Sequence, residues 1–591
     1  MNEQPENLLT RPWRGLRGFL LWWVVLALAA FVVVFCLALL SDFSRGLVDA
    51  LLFALPVAAV IGVCGAAFAA FLRWVCHWPN FRGFLFGLAC VVTLIALFYA
   101  EEDLRGKWAW DRYKSELEAK GQHVDLASVA PPTVPDDENF AMAPIVASSY
   151  SGIIDHNGRK ISPPNTNVVN RMKMPLDVER LPLPPGADRL ETPPLGDWRA
   201  GKRIDLQAWQ HYYQEAGRLT NVFPVPSQPQ SPAADVLFAL SKYNSAIEEL
   251  QQAARRPDSR FPLEYDADEP AFILLPHLAP LKGCVNSLTL RTCAELANNE
   301  PGKALEDVIL QLRMADSLRS EPTLISQLVR IAMVQISMQP VWEGLVDHRW
   351  SDEQLAKLDQ QLKTLNMLAA YRTGIDGERA CATGNIDYLR RTRNTDIFVS
   401  PTPDESSSAG LIAWLFRFAP SGWFYQNELR IVRFETESYL PLADLKDGTV
   451  SPDKVRQSED ALNEELSHKS PYTVGERIFL PALAKGVQKF AFAQESVDLA
   501  RVACALERYR LAHGQYPETL DALTPAFLDK VPHDVIGGQP LKYRRTSDGR
   551  FLLYSVGWNE TDDGGTVVMT KGSSPRPDIN QGDWVWPLPA N

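Results

Sequence analysis

The sequence of 591 residues lacks the motifs that identify several common enzyme classes. It contains no HExxH, GxGxxG or GxSxG, so zinc-protease, dinucleotide-binding and nucleophile-elbow chemistry have no support. Its eight cysteines include no CxxC pair, which gives no support for zinc ribbons or thioredoxin-type sites. The nine histidines are scattered, and none is paired at helical spacing with another metal ligand in a recognised pattern. The sequence therefore assigns no catalytic residue.

Positive charge is also scarce. Lys and Arg number 59 against 71 Asp and Glu, so the formal net charge is −12. Without a basic field to hold a phosphate backbone, nucleic-acid binding is disfavoured. A near match to the phosphate-binding loop, built on Gly196, Gly201 and Lys202, has Arg203 where Ser or Thr would ligate magnesium. We therefore expect neither nucleic acid nor nucleotide as a partner.

Long apolar runs are present, and they lie in the first hundred residues. Residues 18–40, 47–72 and 83–100 form three runs, of which only the second contains a charge, Asp49. A bilayer core of about 30 Å requires about 20 apolar residues of helix, so these runs predict three transmembrane helices in contact with membrane lipid. Aromatic residues stand near the predicted boundaries, as in an interfacial belt. They are Trp22, Trp23, Trp74 and Trp78.

Basic residues next to the runs predict the orientation. The tail of residues 1–17 has three Arg, and residues 73–82 have Arg at both ends, whereas the first loop has only Arg45. The more positive segments face the cytoplasm, so the chain beyond residue 100 lies outside. We expect a multi-pass protein of the bacterial cytoplasmic (inner) membrane with an ectodomain of about 490 residues.

Four cysteines fall in the predicted ectodomain. An even number in an oxidising compartment permits disulfides, with three possible pairings. Two of the four are nine residues apart and would point to opposite faces of one helix. Both disulfides and free buried thiols remain open. The four residues are Cys284, Cys293, Cys381 and Cys504.

The first two ectodomain segments differ in proline content. Residues 101–232 begin with a predicted helix over 101–120 that Gly121 ends, followed by a Pro-rich wrap without long helices or central strands. Isolated aromatics should fix this wrap to a core. Residues 233–470 have helical periodicity and predict a mainly α domain. Within it, Ser351 and Gln354 form a capping box, and a helix over 323–346 is interrupted by Pro340.

The C-terminal segment, residues 471–591, predicts a long helix followed by a small α+β unit. The helix starts near Tyr472 and ends at His513 and Gly514, and a short second helix covers 518–523. The phrases LKYRR and RFLLYSV flank TSDG, which indicates a β-hairpin.

The last hundred or so residues resemble the globular domain of the major pseudopilins of type II secretion systems. The resemblance rests on a series of phrases in order: "Y…G.YP", "P.D..G.P..Y", "YS.G", "DGG" and a terminal "DW". It implies an α+β fold that packs against neighbouring proteins. The chain departs from that family in its N-terminal region. Pseudopilins begin with a prepilin-peptidase site and a single helix, whereas this chain has three predicted spans and no such site. The matching residues are Tyr509, Gly514, Tyr516, Pro517, Leu520, Leu523, Pro532, Asp534, Gly538, Pro540, Tyr543, Tyr554, Ser555, Gly557, Asp562, Asp563, Gly564, Asp583 and Trp584.

The same resemblance implies a calcium site in the loop after "YS.G". Independently, the local residues place oxygen ligands at alternate positions before a glycine, like the first half of an EF-hand loop. Thr570 stands where the bidentate Glu would be, and a plain hairpin turn is the alternative. The candidate ligands are Asn559, Thr561, Asp562, Asp563 and Asp583.

The sequence thus predicts a membrane-anchored α+β protein with three N-terminal transmembrane helices, a Pro-rich irregular segment, a mainly α middle and a small pseudopilin-like C-terminal domain. We expect a non-enzymatic role in protein–protein interaction with envelope proteins, in a secretion- or pilus-like assembly. The alternative is a membrane-anchored extracytoplasmic hydrolase with a cleft between the helical middle and the Pro-rich wrap. A pocket of converging carboxylates or His would favour the hydrolase, and a filled junction would favour the interaction protein.

Overall fold

Helices make up most of the described chain, and the strands are few and short. The computed structural model describes residues 23–32, 56, 58–68, 70–71, 78–150, 153–154, 160–161, 170–177, 190–228, 230–267, 269–394, 416–468, 470–484, 486–572 and 575–588.

One described helix is long and apolar enough to cross a membrane. It is Phe81–Ala119, within helix α3 (Trp78–Ala119), and its most apolar window has no buried residue. Shorter apolar helices, α1 (Trp23–Val32) and α2 (Ala58–Phe68), lie within the first and second predicted runs. Apart from residues 56, 70 and 71, the remainder of those runs is outside the described residues. The structure therefore shows one apolar helix of membrane-spanning length, and the other two spans remain predictions.

Helix α3 also includes the helix predicted over 101–120. It ends at Ala119, and Gly121 follows with φ of +71°. A left-handed glycine just past a helix end satisfies the last carbonyls at no steric cost, which is why the prediction of the stop was right.

The remaining helices belong to a compact unit that runs from Asp103 to Asn591. They are α4 (Leu126–Val129), α5 (Pro144–Ala147), α6 (Leu206–Thr220), α7 (Pro232–Leu240), α8 (Asn244–Ala253), α9 (Leu278–Ala297), α10 (Pro301–Asp316), α11 (Leu324–Val346), α12 (Asp352–Lys363), α13 (Met367–Thr392), α14 (Ser421–Phe434), α15 (Pro452–Ser467), α16 (Val474–Phe479), α17 (Pro481–Ala484) and α18 (Gly486–His513).

The helical middle confirms its predicted pattern. Helices α9, α10 and α11 pack against one another, and α18 packs against α11, α12 and α13. The capping box at Ser351 and Gln354 is present. The expected interruption at Pro340 is wrong, because α11 continues through it. Met338 and Trp342, on either side of Pro340, are fully buried, and their packing stabilises the helix although proline removes one backbone donor.

The Pro-rich wrap is largely irregular, and its aromatics are buried as expected. Phe140 and Trp198 are among them. The expectation of no long helix is wrong, because α6 has 15 residues. Its sequence contains no proline, and Asp205 caps it by accepting from the backbone N–H groups of Gln207 and Ala208.

The C-terminal segment corrects two predicted helices. The predicted long helix from near Tyr472 is broken at Leu480: α16 ends at Phe479, Pro481 opens α17, and α18 runs over Gly486–His513. The short helix over 518–523 is a 3₁₀ turn, Leu520–Leu523. Proline fits the first turn of a new helix but removes a donor from a continuing one, which explains the division.

The strands are short and antiparallel. The predicted hairpin is confirmed: β5 pairs with β6, with Lys542 opposite Tyr554, and β9 adds to the other side of β6. The strands are β1 (Ile153–Ile154), β2 (Lys160–Ile161), β3 (Ala443–Asp444), β4 (Thr449–Val450), β5 (Lys542–Arg545), β6 (Phe551–Ser555), β7 (Val567–Met569), β8 (Pro577–Gly582) and β9 (Trp584–Trp586).

The four cysteines beyond residue 100 are free thiols. Cys284 and Cys293 lie on α9, both buried. Burial raises the pKa of the Cys284 thiol to about 12, which keeps it protonated and unreactive. The sequence left both disulfides and free thiols open, and in the structure these four cysteines are free.

Candidate functional site

The predicted calcium loop is held together by its own polar groups. The Asn559 amide donates to an Asp563 carboxylate oxygen over 2.9 Å, and the Thr561 hydroxyl donates to the Asn559 carbonyl over 3.2 Å. Most of the loop is exposed to solvent. The loop therefore brings Asn559, Thr561 and Asp563 together through hydrogen bonds of its own.

Asp583 reaches this loop from the C-terminal segment. Its buried carboxylate accepts backbone N–H groups of Asp563, Gly565 and Thr566, over 3.2, 2.6 and 3.1 Å. Burial raises the pKa of Asp583, and the backbone donors oppose that rise. Asp583 thus closes the loop through its own hydrogen bonds, in the position where the sequence predicted a ligand.

Asp562 has a different set of partners. It accepts from the Tyr554 hydroxyl over 2.9 Å and lies 3.2 Å from the Lys542 ammonium. The Tyr554 hydrogen bond is the main cause that lowers the pKa of Asp562. In the part of the chain that the structure describes, no group of three or more His, Cys, Asp or Glu is arranged to hold a metal ion. The calcium site remains a prediction.

A buried acidic pair joins α18 to the C-terminal strands, and the sequence reasoning missed it. Asp534 accepts from the Ser555 hydroxyl over 2.8 Å and from the Val556 backbone N–H over 3.0 Å. Glu495, fully buried on α18, accepts the Val535 backbone N–H over 2.8 Å. Burial, and then the nearby Asp534 charge, raise the pKa of Glu495 well above its usual range. Burial therefore favours the protonated form of the Glu495 carboxyl.

A cleft of about 360 Å³ lies where the helical middle meets the C-terminal segment. Arg501 on its wall bridges Asp359 at 2.9 Å and Asp498 at 3.6 Å, and Gln494 donates to Asp498 over 3.0 Å. His533 faces two backbone carbonyl oxygens, at 2.8 and 3.2 Å. The cleft is lined by Lys363, Leu365, Asn366, Leu368, Leu445, Gly448, Gln494, Asp498, Arg501 and residues 529–533.

The charged rim of the cleft contains three ionised side chains near its opening. Lys363 on α12 forms an ion pair with Asp529, and both are exposed. Lys530 is exposed beside them and makes no ion pair within the described chain. Since these segments are far apart in the sequence, no local pattern could have predicted the cleft. The arrangement suits the binding of a polar segment better than it suits a buried reaction centre.

The junction between the Pro-rich wrap and the helical middle is closed by direct hydrogen bonds around Trp198 and Ile204, and Trp198 is buried there. Trp198 donates to the Gln335 carbonyl over 3.1 Å, and Glu343 accepts the Ile204 backbone N–H over 2.9 Å. A cavity of about 150 Å³ does lie elsewhere on this boundary, but the Arg313 guanidinium on its wall donates to three backbone carbonyls.

The near match to a phosphate-binding loop has a structural role in this junction. Asp197 and Lys202 form a backbone bridge that closes the turn, and Gly201 has φ of +67°. The Gln339 amide donates to the Lys202 carbonyl over 3.0 Å. The turn therefore fixes the wrap to α11.

Comparison of the chain with protein-family models, with curated proteins and with solved structures finds no match. The pseudopilin resemblance therefore depends on the residues quoted above. Several of those residues, distant in sequence, contact one another: Ser555 binds Asp534, and the Tyr543 hydroxyl donates to the Pro517 carbonyl over 2.7 Å.

Proposed function

We propose that this chain is a multi-pass protein of the bacterial cytoplasmic membrane whose C-terminal body lies outside and binds other envelope proteins. Three N-terminal spans would anchor it, with the N-terminus in the cytoplasm. The partners would belong to a secretion- or pilus-like assembly. The observation that carries the proposal is α3, whose exposed apolar half continues as one helix into the part that packs against α14.

The packing of the C-terminal segment supports an interaction role. Residues from different motifs of the resemblance contact one another. Ser555 donates to Asp534, and Asp583 accepts hydrogen bonds from the loop of residues 563–566. We expect such contacts if these sequence motifs belong to one folded domain. Pseudopilin-type domains pack against neighbours, so the same role is proposed here.

The cleft is the proposed contact site. It joins the helical middle to the segment that contains Pro532, and its rim presents Lys363 and Lys530 to solvent. An extended partner segment with acidic side chains would complement these ammonium groups. The competing hydrolase reading places its cleft at the wrap, where Trp198 and Ile204 make the contacts just described.

Two measurements test this proposal in the full chain. First, a reporter that is active only in the cytoplasm is fused after residue 130; we expect it to be inactive, and activity would overturn the topology. Second, the tagged chain is cross-linked in cells, captured from solubilised membranes and analysed for co-purifying envelope proteins.

The capture is compared between wild type and two charge reversals on α12. Lys363→Glu at the cleft should reduce recovery of the partners at least fivefold. Lys357→Glu is the matched control, because both side chains are 53% exposed and only Lys363 lines the cleft. Equal recovery from wild type and Lys363→Glu would exclude the cleft as the contact site.

A further inference from the structure

The first turns of α3 beyond Asp103 have one packed face and one exposed apolar face. Gly106 is packed so closely that an added Cβ would lie 2.5 Å from the Gly422 carbonyl oxygen, and Trp110 is buried nearby. On the other side, Leu104 is 74% exposed and Trp108 is 66% exposed. Two large apolar side chains one helical turn apart are unusual on a surface that faces only water.

The start of α14 lies beside these turns. The Gly422 backbone N–H donates to Asp103 over 2.7 Å. Four residues before Gly422, Phe418 is 59% exposed, although its neighbour Phe416 is buried. Arg417 between them is exposed and has no ion-pair partner within the described ranges. The chain thus presents a second exposed aromatic side chain, next to a cation, close to the point where α3 enters the folded part.

Helix geometry gives the depth of these residues relative to the apolar run. Leu104 and Trp108 follow Ala100 by four and eight residues, or about 6 and 12 Å along the same helix at about 1.5 Å per residue. The headgroup region on each side of a bilayer is about 5–7 Å thick. Side chains on a helix point back toward its N-terminus, which here is the direction of the apolar run.

We propose that Leu104, Trp108, Arg417 and Phe418 form an interfacial patch that holds the body against the lipid headgroups. The proposal rests on the membrane anchoring proposed above. On the continuous helix α3, Leu104 follows the apolar run by about the thickness of the headgroup region, and Trp108 lies one turn further along with its side chain directed back toward the run. Tryptophan favours the headgroup level because its ring is apolar and its N–H is polar, and an arginine there pairs with lipid phosphate.

Photo-crosslinking in native membranes tests the patch. A benzophenone amino acid replaces residue 104, 108 or 418 in the full chain, and the products of irradiation are identified by mass. We expect lipid adducts at all three positions. Residue 94 inside the apolar run is the positive control, and Ile325 on α11 is the matched control because it is 58% exposed and apolar but far along the chain from α3.

The outcomes separate the two proposals. Absence of lipid adducts at residue 94 would overturn the anchoring and the patch together. Adducts at 94 without adducts at 104, 108 and 418 would overturn the patch alone. Adducts with a protein instead of lipid, or equal lipid labelling at residue 325, would also overturn it.

Discussion

Two long apolar helices, the first half of α3 and α11, look similar in the sequence but have opposite surroundings. Residues 83–100 contain no charged residue, and the most apolar window of that helix has no buried residue. In α11, by contrast, most side chains are buried, including Arg330 and Glu343. Apolar composition alone therefore does not say whether a helix faces lipid or protein.

The polar side chains of the two helices make the distinction. In α11, Arg330 pairs with Asp316 at 2.9 Å, and Gln327 donates to the Leu318 carbonyl over 2.8 Å. In α3, the Thr93 hydroxyl donates to the Ala89 carbonyl of its own helix over 2.8 Å. A polar group in hydrocarbon must find its partner within the helix, whereas a polar group in a core can use a neighbouring element. Polar side chains of an apolar helix that bind a neighbouring element, as in α11, thus indicate a protein core.

The largest effect should come from charging the apolar half of α3. Leu94→Arg with Leu97→Arg places two charges inside the proposed span, at a cost of up to about 5–7 kcal/mol in insertion. We expect a cytoplasmic reporter after residue 130 to become active, because the body would no longer cross the membrane. The uncharged pair Leu94→Ile with Leu97→Ile should leave it inactive. If the reporter stays inactive in the doubly charged variant, α3 does not cross the membrane as proposed.

The matching experiment in α11 removes a buried ring. Trp342 is fully buried, and its indole N–H donates to the Pro587 carbonyl over 2.9 Å. Trp342→Ala should lower the free energy of unfolding by about 3–5 kcal/mol, because a large cavity forms. Ile325→Ala on the exposed side of the same helix should change it by about 0.5 kcal/mol or less. Denaturant unfolding of the solubilised chain measures both, and equal losses would mean that α11 is not a core helix.

A third test uses ionisable groups that are buried between two core helices. Between α9 and α10, Arg291 lies 3.1 Å from Glu295 and 3.4 Å from Asp307. Burial, and then the Asp307 charge, raise the pKa of Glu295 above its usual range. A raised carboxyl pKa favours the folded state at low pH, and this contribution is lost as the pH rises through the folded pKa.

Wild type should therefore lose thermal stability between about pH 5 and pH 8 partly through this pair, and Glu295→Gln should lose less. Glu306→Gln, an exposed change on the same helix as Asp307, should follow the wild-type profile. Melting temperatures of the wild type and both variants, measured across that pH range, test this prediction. Identical slopes for wild type and Glu295→Gln would show that the carboxyl does not hold a proton in the folded state.

Local patterns explain which parts of the fold the sequence predicted. The capping box at Ser351, the stop at Gly121 and the hairpin around residues 546–549 each depend on a few adjacent residues, and each is confirmed. Helix α6 was missed because the proline content of the whole wrap was weighed rather than its own proline-free stretch. There, Trp209, Tyr212, Tyr213 and Ala216 already had helical spacing and are buried.

Tertiary context explains what the sequence could not give. The cleft draws on four segments between residues 363 and 533, so its geometry exists only after folding. The buried partner of Asp534 was hidden for the same reason, since Glu495 lies 39 positions earlier on another element. Asp583 was predicted as a calcium ligand, but the sequence could not show that it also binds three backbone N–H groups of the loop.

The smallest expected effect concerns the loop of residues 559–566, which belongs to neither of the two helices. If Asn559 and Asp563 take calcium with the 10⁻⁴–10⁻³ M affinity of extracellular modules, about 1 mM calcium should stabilise the full chain by about 0.4–1.4 kcal/mol. Magnesium at the same concentration should do less, since it requires a smaller octahedral site.

The variant Asp563→Asn separates the two readings of the loop. It keeps the hydrogen bonds that the Asp563 backbone makes, including the one to Asp583, but removes a carboxylate charge. Calcium should then no longer raise the melting temperature, while stability without calcium stays close to wild type. If calcium leaves the wild-type melting temperature unchanged, the loop is a hydrogen-bonded hairpin turn that Asp583 closes without a metal ion.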